Sequence, residues 1–230
     1  MSSALDSCLR RSDRDGVATL SLNRPQARNA LSEAMLKTLR EAFDALERDK
    51  SVRAIVLAAE GPVFCAGHDL KEMTAFRAEP DRGAERFAAL FDLCSSVMMA
   101  IPALPQPVIA AVEGIATAAG CQLVASCDLA VAGAEARFAT PGVQIGLFCS
   151  TPMVALSRNL SRKAAMRMLI TAELVSAEDA RALGLVNDVV AAGGALAAAQ
   201  ELAAGIAARS PDTVRIGKRA FYEQIEMPLA

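Results

Sequence analysis

Two short stretches carry the residues best placed to do chemistry: VFCAGHDLKEM (Val63 to Met73) and AAGCQLVASCD (Ala118 to Asp128). Each follows an apolar run of the kind that is buried, VRAIVLA in the first case and PVIAAV in the second. Small residues at the turn after such a run leave backbone N–H groups unpaired and directed outward. Two of these donors converging on one carbonyl oxygen make an oxyanion hole, and each is worth roughly 3 kcal/mol where negative charge develops. In the second stretch Gln122 stands where acid–base chemistry would want a carboxylate. A glutamine can position a water by accepting from it and donating to it, but cannot take its proton.

Other reactive side chains have competing readings. His68, the only histidine, sits between Gly67 and Asp69; either its ring gates or contacts a ligand, or only its amide matters. Cys149 could be a nucleophile only with a depressed pKa, and no second histidine exists to depress it. Cys121 and Cys127 read as small core hydrophobes. Asp69 is a possible base but more simply a cap for the helix that follows it. Asp128 reads as structural, and Glu72 and Glu113 are the candidate replacement bases.

The elements around these loops follow from periodicity. Val17 to Leu22 alternates as a strand and turns at Asn23-Arg24-Pro25. Ser32 caps a helix to about Asp49, with Met35, Leu36, Leu39, Phe43 and Leu46 on one face. Arg53 to Ala58 is too uniformly apolar for a half-exposed strand, so it belongs in a sheet covered on both faces. Pro80 to Ala100 reads as helical, Val108 to Val112 as a second buried strand, and Gly114 to Gly120 as a tight loop leading into a helix at Cys121 to Ser126. Short strands are expected at Leu129 to Ala132, Arg137 to Ala139 and Leu185 to Val190. Helices are expected at Thr151 to Leu160, Arg162 to Thr171, after Ser176 until Gly184 stops it, at 195–208, and from Asp212 to Ile225. The recurrence of strand, turn, strand and helix predicts an α/β fold of stacked units sharing one core.

Composition narrows the function classes. With 230 residues, 53% of them hydrophobic, the chain carries enough apolar surface for a sizeable core. Lys plus Arg (24) nearly balance Asp plus Glu (26), which gives no nucleic-acid footprint and no strongly charged membrane face. Six cysteines without CxxC pairs exclude the usual zinc and disulfide frameworks and imply reduced thiols. The opening MSSALDSCLRRSDRDG lacks an apolar segment, and the apolar runs are broken by Pro, Gly or charge. The expectation is a soluble cytoplasmic protein with no targeting segment and no membrane span.

From about Gly16 to Lys218 the chain resembles the crotonase superfamily, the enoyl-CoA hydratases and isomerases. Beyond the two loops, LNRPQARNAL (Leu22 to Leu31), SCDLAVA (Ser126 to Ala132), FATPGVQIGL (Phe138 to Leu147) and LVSAEDARALGLV (Leu174 to Val186) fall in the family's order and spacing. The resemblance implies a crotonase-type spiral of ββα units over residues 1–190 and a helical region over 191–230, expected to be incomplete because the family often continues further. It implies an acyl-CoA thioester as ligand, with no cofactor beyond the coenzyme A of that ligand and no metal, and a homotrimer or dimer of trimers. Carried over residue by residue, the oxyanion amides are those of His68 and Ala119, the latter where the family usually has glycine. The coenzyme A contacts fall at Arg28, Ala30, Ala66, Asp69 and Lys71. A hydratase of this family uses two glutamates to activate water and protonate the α-carbon; here those positions are Gln122 and Gly142. With IGLFCSTP (Ile145 to Pro152), this resembles the "enoyl-CoA hydratase domain-containing" subgroup. The resemblance therefore implies an acyl-CoA-binding family member with slow or absent hydration, and the alternative is a non-catalytic acyl-CoA binding or sequestering protein. Restoring both carboxylates, with Gln122→Glu and Gly142→Glu, is expected to raise hydration.

Overall fold

The computed structural model describes residues 8–228. The chain starts as a hairpin of β1 (Leu9–Arg14) and β2 (Val17–Leu22). β1, LRRSDR, is an antiparallel edge strand that buries only Leu9 and shows its charges to solvent, a composition that discourages pairing with another chain. Helix α1 (Glu33–Arg48) follows, capped as expected by Ser32, whose hydroxyl accepts from the Met35 N–H at 3.2 Å. Then come β3 (Ala54–Ala59), α2 (Leu70–Phe76), α3 (Ala84–Ala103), β4 (Val108–Val112), β5 (Ile115–Thr117) and α4 (Ala119–Ser126). The second half runs β6 (Leu129–Gly133), β7 (Arg137–Ala139), α5 (Ser150–Asn159), α6 (Arg162–Thr171), β8 (Val175–Ser176), α7 (Ala177–Leu183), β9 (Asp188–Val190), α8 (Ala195–Ala207) and α9 (Pro211–Ile225). Gly184 ends α7 in the left-handed region at φ 92°.

Two sheets organise these pieces. The larger has the order β1-β2-β3-β4-β6-β9 and is parallel from β2 onward; the smaller, β5-β7-β8, lies beside it. Alternate residues of the central strands go to opposite faces. Ile55 and Leu57 of β3 and Val108, Ala110 and Val112 of β4 join the main core with α1 and α3. Ala54, Val56, Ala58, Ile109 and Ala111 face a second apolar layer supplied by α8. This is the two-sided cover that the uniform apolarity of β3 required.

One expectation about the chain's hydropathy needs correcting. By length and composition α3 is apolar enough to cross a membrane, although the sequence reading ended its helix at Ala100, before Pro102. The helix continues through Pro102 to Ala103. In the fold it buries Leu90, Cys94, Val97, Met98, Ala100 and Ile101.

Candidate functional site

The two loops meet through backbone hydrogen bonds. Thr117 N–H donates to the Cys65 carbonyl at 2.9 Å, and Thr117 Oγ1 donates to the Ala66 carbonyl at 3.1 Å. The backbones pack so closely that a Cβ on Gly120 would lie 2.2 Å from the Cys65 carbonyl oxygen, and one on Gly67 would lie 3.3 Å from the Ala119 nitrogen. Glycine is obligatory at these two contacts.

A third segment fixes the direction of the His68 amide. Ala66 N–H donates to Arg28, Leu31 N–H to Gly67, and Asp69 N–H to Leu31, at 3.1, 2.8 and 3.4 Å. Along extended backbone successive peptide groups alternate, so with Gly67 C=O and Asp69 N–H turned toward Leu31, the His68 N–H points the other way. Among the described residues it meets no backbone acceptor. Ala119 opens α4, where an amide has no intrahelical partner. Its neighbour Ala118 holds φ 51° and ψ −120°, glycine territory that costs an L-residue about 1–3 kcal/mol. That strain is held in place by Ala118 N–H donating to Ala139 at 2.9 Å. The backbones at Gly67–His68 and at Ala119 are thus close neighbours, and among the described residues neither the His68 nor the Ala119 amide meets a backbone acceptor.

At the two positions where the family resemblance would put carboxylates stand Gln122 and Gly142. Gln122 lies one turn along α4 from Ala119 and is 7% exposed, with its Oε1 buried and unpartnered. Helical side chains lean back toward the N-terminus, so the Gln122 amide lies over the turn that carries the Ala119 N–H. Gly142 is buried in the 3-10 turn Pro141–Ile145. A Cβ there would lie 2.8 Å from both Cys149 Sγ and the Leu147 carbonyl oxygen. The expected gain from Gly142→Glu therefore has no room to be realised, because the loop after residue 145 folds back over the glycine.

The other predicted residues divide. Arg28 and Lys71 are exposed, Ala30 is buried, and Ala66 lies in the bridged segment. Asp69 caps α2, its Oδ1 accepting from Lys71 N–H at 3.1 Å and Glu72 N–H at 3.4 Å, with Arg24 Nη2 3.7 Å from Oδ2. Glu72 Oε2 accepts from Glu33 N–H at 2.8 Å, and Glu113 Oε1 accepts from Ala195 N–H at 2.9 Å. Each candidate base is spent on a helix start. The His68 ring meets Phe91 edge-on at 5.4 Å, with both nitrogens buried and unpartnered. Burial pushes its pKa down, and the Leu31 carbonyl opposes this from beyond hydrogen-bonding geometry.

Sequence reasoning missed Asn29. Fully buried at φ 51°, it donates from Nδ2 to the Glu60 and Val63 carbonyls at 2.9 and 2.7 Å, and its Oδ1 accepts from Arg24 N–H at 2.8 Å. It clamps the Arg28–Leu31 segment to the base of the first loop. The signal was an asparagine at a turn, a residue type that tolerates the left-handed region.

The fold and these paired loops define a crotonase-type scaffold, and the similarity to known proteins agrees with it. Residues 12–230 match the family model for enoyl-CoA hydratase/isomerase, and the chain belongs to that family. It is 47% identical over 216 residues to rat mitochondrial enoyl-CoA hydratase domain-containing protein 3, spanning 94% of this chain and 70% of the relative. The crystal structure of an enoyl-CoA hydratase from Mycobacterium smegmatis is 59% identical with a TM-score of 0.91, covering 96% of this chain and 85% of that one. The human enoyl-CoA hydratase domain-containing protein 3 structure is 44% identical with a TM-score of 0.90, covering 96% and 86%. The cytoplasmic expectation is overturned: the rat, mouse and human relatives at 47% identity are mitochondrial proteins. Reduced thiols mark a reducing compartment without saying which one.

Proposed function

We propose that the chain binds an acyl-CoA thioester, with the carbonyl oxygen on the amides of His68 and Ala119, and hydrates trans-2-enoyl-CoA esters slowly or not at all. The observation that carries this reading is Gln122, buried with an unpartnered carbonyl beside the Ala119 turn. It can hold a water there and cannot deprotonate it. With Gly142 at the other glutamate position, no carboxylate shares the work. One positioned acid–base group contributes about 10²–10⁴-fold, and groups acting as a unit do not add.

Coenzyme A would lie along the Arg28–Ala30 and Ala66–Lys71 segments. The exposed Arg28 and Lys71 suit phosphate oxygens through charge-assisted hydrogen bonds. Asp69 holds the α2 start rather than the ligand. A homotrimer or dimer of trimers is the assembly that the family resemblance supports. Met166 and Ile170, exposed one turn apart on α6, are apolar surface for such a contact.

A second reading, a non-catalytic acyl-CoA binding or sequestering protein, is favoured by a different observation: Asp69, Glu72 and Glu113 are each engaged with backbone amides. Steady-state hydration of a series of trans-2-enoyl-CoA esters, with binding of a saturated acyl-CoA measured in parallel, tests both. Hydration is expected at least about 10³-fold below a two-glutamate relative. Turnover near that relative's rate would overturn the roles given to Gln122 and Gly142, and absence of acyl-CoA binding would defeat both readings.

A further inference from the structure

The volume that a side chain at position 142 would enter is occupied by a thiol. Cys149 Sγ stands 2.8 Å, and Cys149 N 3.3 Å, from where a Gly142 Cβ would be. The loop that delivers it is tied down: Leu147 N–H donates to the Gly142 carbonyl at 3.0 Å, and Met153 N–H donates to the Cys149 carbonyl at 2.9 Å, where Cys149 caps α5. Burial raises the Cys149 pKa, and the Gly142 amide facing the sulfur opposes that by favouring the thiolate.

A second feature lies on the neighbouring helix α4. Gln122 is more than nine-tenths buried, with Oε1 unpartnered over the Ala119 turn. Its neighbour Cys121 lies close enough to Cys149 for charge on Cys149 to push the Cys121 thiol up. Strand pairing of Thr117 with Ala139 brings the start of α4 beside the Thr140–Gly142 segment. The thiol therefore lies beside the start of α4, the helix that carries the Ala119 amide and Gln122.

We propose that Cys149 is the proton-carrying group of this site, standing in the place of the second carboxylate and exchanging a proton with the α-carbon of the bound acyl-CoA. This rests on the acyl-CoA reading above. The Cys149 thiolate takes an α-proton, and the C–H electron pair moves into the Cα–C bond as the carbonyl oxygen becomes an enolate oxygen held by the amides of His68 and Ala119. The thiol trades its proton with solvent and returns one to the α-carbon, regenerating thioester and thiolate. Nothing is oxidised and no group leaves. The abstraction runs through the thiolate fraction, which grows toward alkaline pH, and the return step uses the thiol, a ready donor to an enolate. One carrier suffices to relay an α-proton, whereas adding water needs a second group to activate the water.

The test is α-proton exchange of butyryl-CoA in D₂O, followed by NMR, with butyryl-CoA affinity measured alongside by calorimetry. The parent protein is expected to exchange the α-protons at a rate that rises toward alkaline pH. Cys149→Ala should lower the rate about 10²-fold or more while affinity changes less than about threefold. Cys149→Asp, which restores a carrier of lower pKa, should recover exchange with its pH profile displaced toward acid. Unchanged exchange in Cys149→Ala, or none in a parent that binds butyryl-CoA, overturns the proton-carrier role and leaves the acyl-CoA reading standing. Failure of the parent to bind butyryl-CoA overturns both.

Discussion

At the scale of single residues, His68 combines a functional amide with an awkward side chain. Its ring nitrogens are buried without partners, which costs desolvation without a hydrogen bond in return. Burial also holds its pKa below the ordinary value of 6.5. Because the folded pKa is the lower one, the unfolded chain binds more protons on the acid side. The stability associated with the neutral ring is full above about pH 6.5 and is lost as pH falls through the folded pKa. His68→Phe keeps the edge contact with Phe91 and removes both nitrogens. Urea midpoints at about pH 7.5 and about pH 5 should show the variant at least as stable as the parent at the higher pH, with a smaller acid loss. An equal acid loss in both would place the sensitivity elsewhere. The close backbone approach at Gly67 and Gly120 was legible in the small residues of the two loops, whereas the choice of the His68 and Ala119 amides came from the family resemblance. That Cys149 lies near Gly142 was legible too; that its sulfur fills the space a side chain at 142 would enter was not, since it depends on how the intervening loop folds back.

At the scale of elements, the last helix shows how little apolar burial an attachment needs. No residue of α9 is fully buried; a polar cluster anchors it instead. Lys218 Nζ donates to the Ile101 and Gln106 carbonyls at 2.8 and 2.9 Å and to Asp128 Oδ2 at 2.7 Å. Tyr222 OH donates to Asp128 Oδ1 at 2.8 Å, and Val108 N–H donates to Oδ2 at 2.7 Å. Burial lowers the Lys218 pKa and Asp128 pulls it back. Asp128→Ala strands a buried ammonium and should cost about 3–5 kcal/mol, whereas Asp128→Ala with Lys218→Met should cost less than the single change. Denaturant midpoints check the order, and hydrogen exchange should show α9 amides opening first. A double variant as unstable as the single would mean that the carboxylate holds the β4 start more than the helix. That Asp128 is structural was legible from its place after α4. Its partners, some 90 residues further along, were not, because periodicity carries no long-range pairing. The three-residue β5 was likewise hidden inside what read as a tight loop.

At the scale of the molecule, the larger sheet holds the site because both its faces are filled. The parallel strands β3 and β4 read as continuous apolar runs, and that pattern implied cover on two sides. Which helix covers the second face was not legible: the alanines of 195–208 fit any helix, and small side chains alone name no neighbour. In the structure Ala195, Ala199, Ala203 and Ala207 recur every fourth residue along the buried stripe of α8, none more than 5% exposed. Side chains this small let the helix axis settle close to the sheet, and they fix the position of the strands that end at the oxyanion loops. Ala203→Leu forces extra carbon atoms into that layer and should cost about 1–3 kcal/mol by overpacking. For a chain of this size the melting temperature should fall by about 3 °C per kcal/mol. Ala204→Leu on the exposed side of the same turn should stay within about 0.5 kcal/mol of the parent. Equal melting temperatures for the two variants would show that α8 lifts off the sheet at little cost, and that the second layer does not set the position of the site.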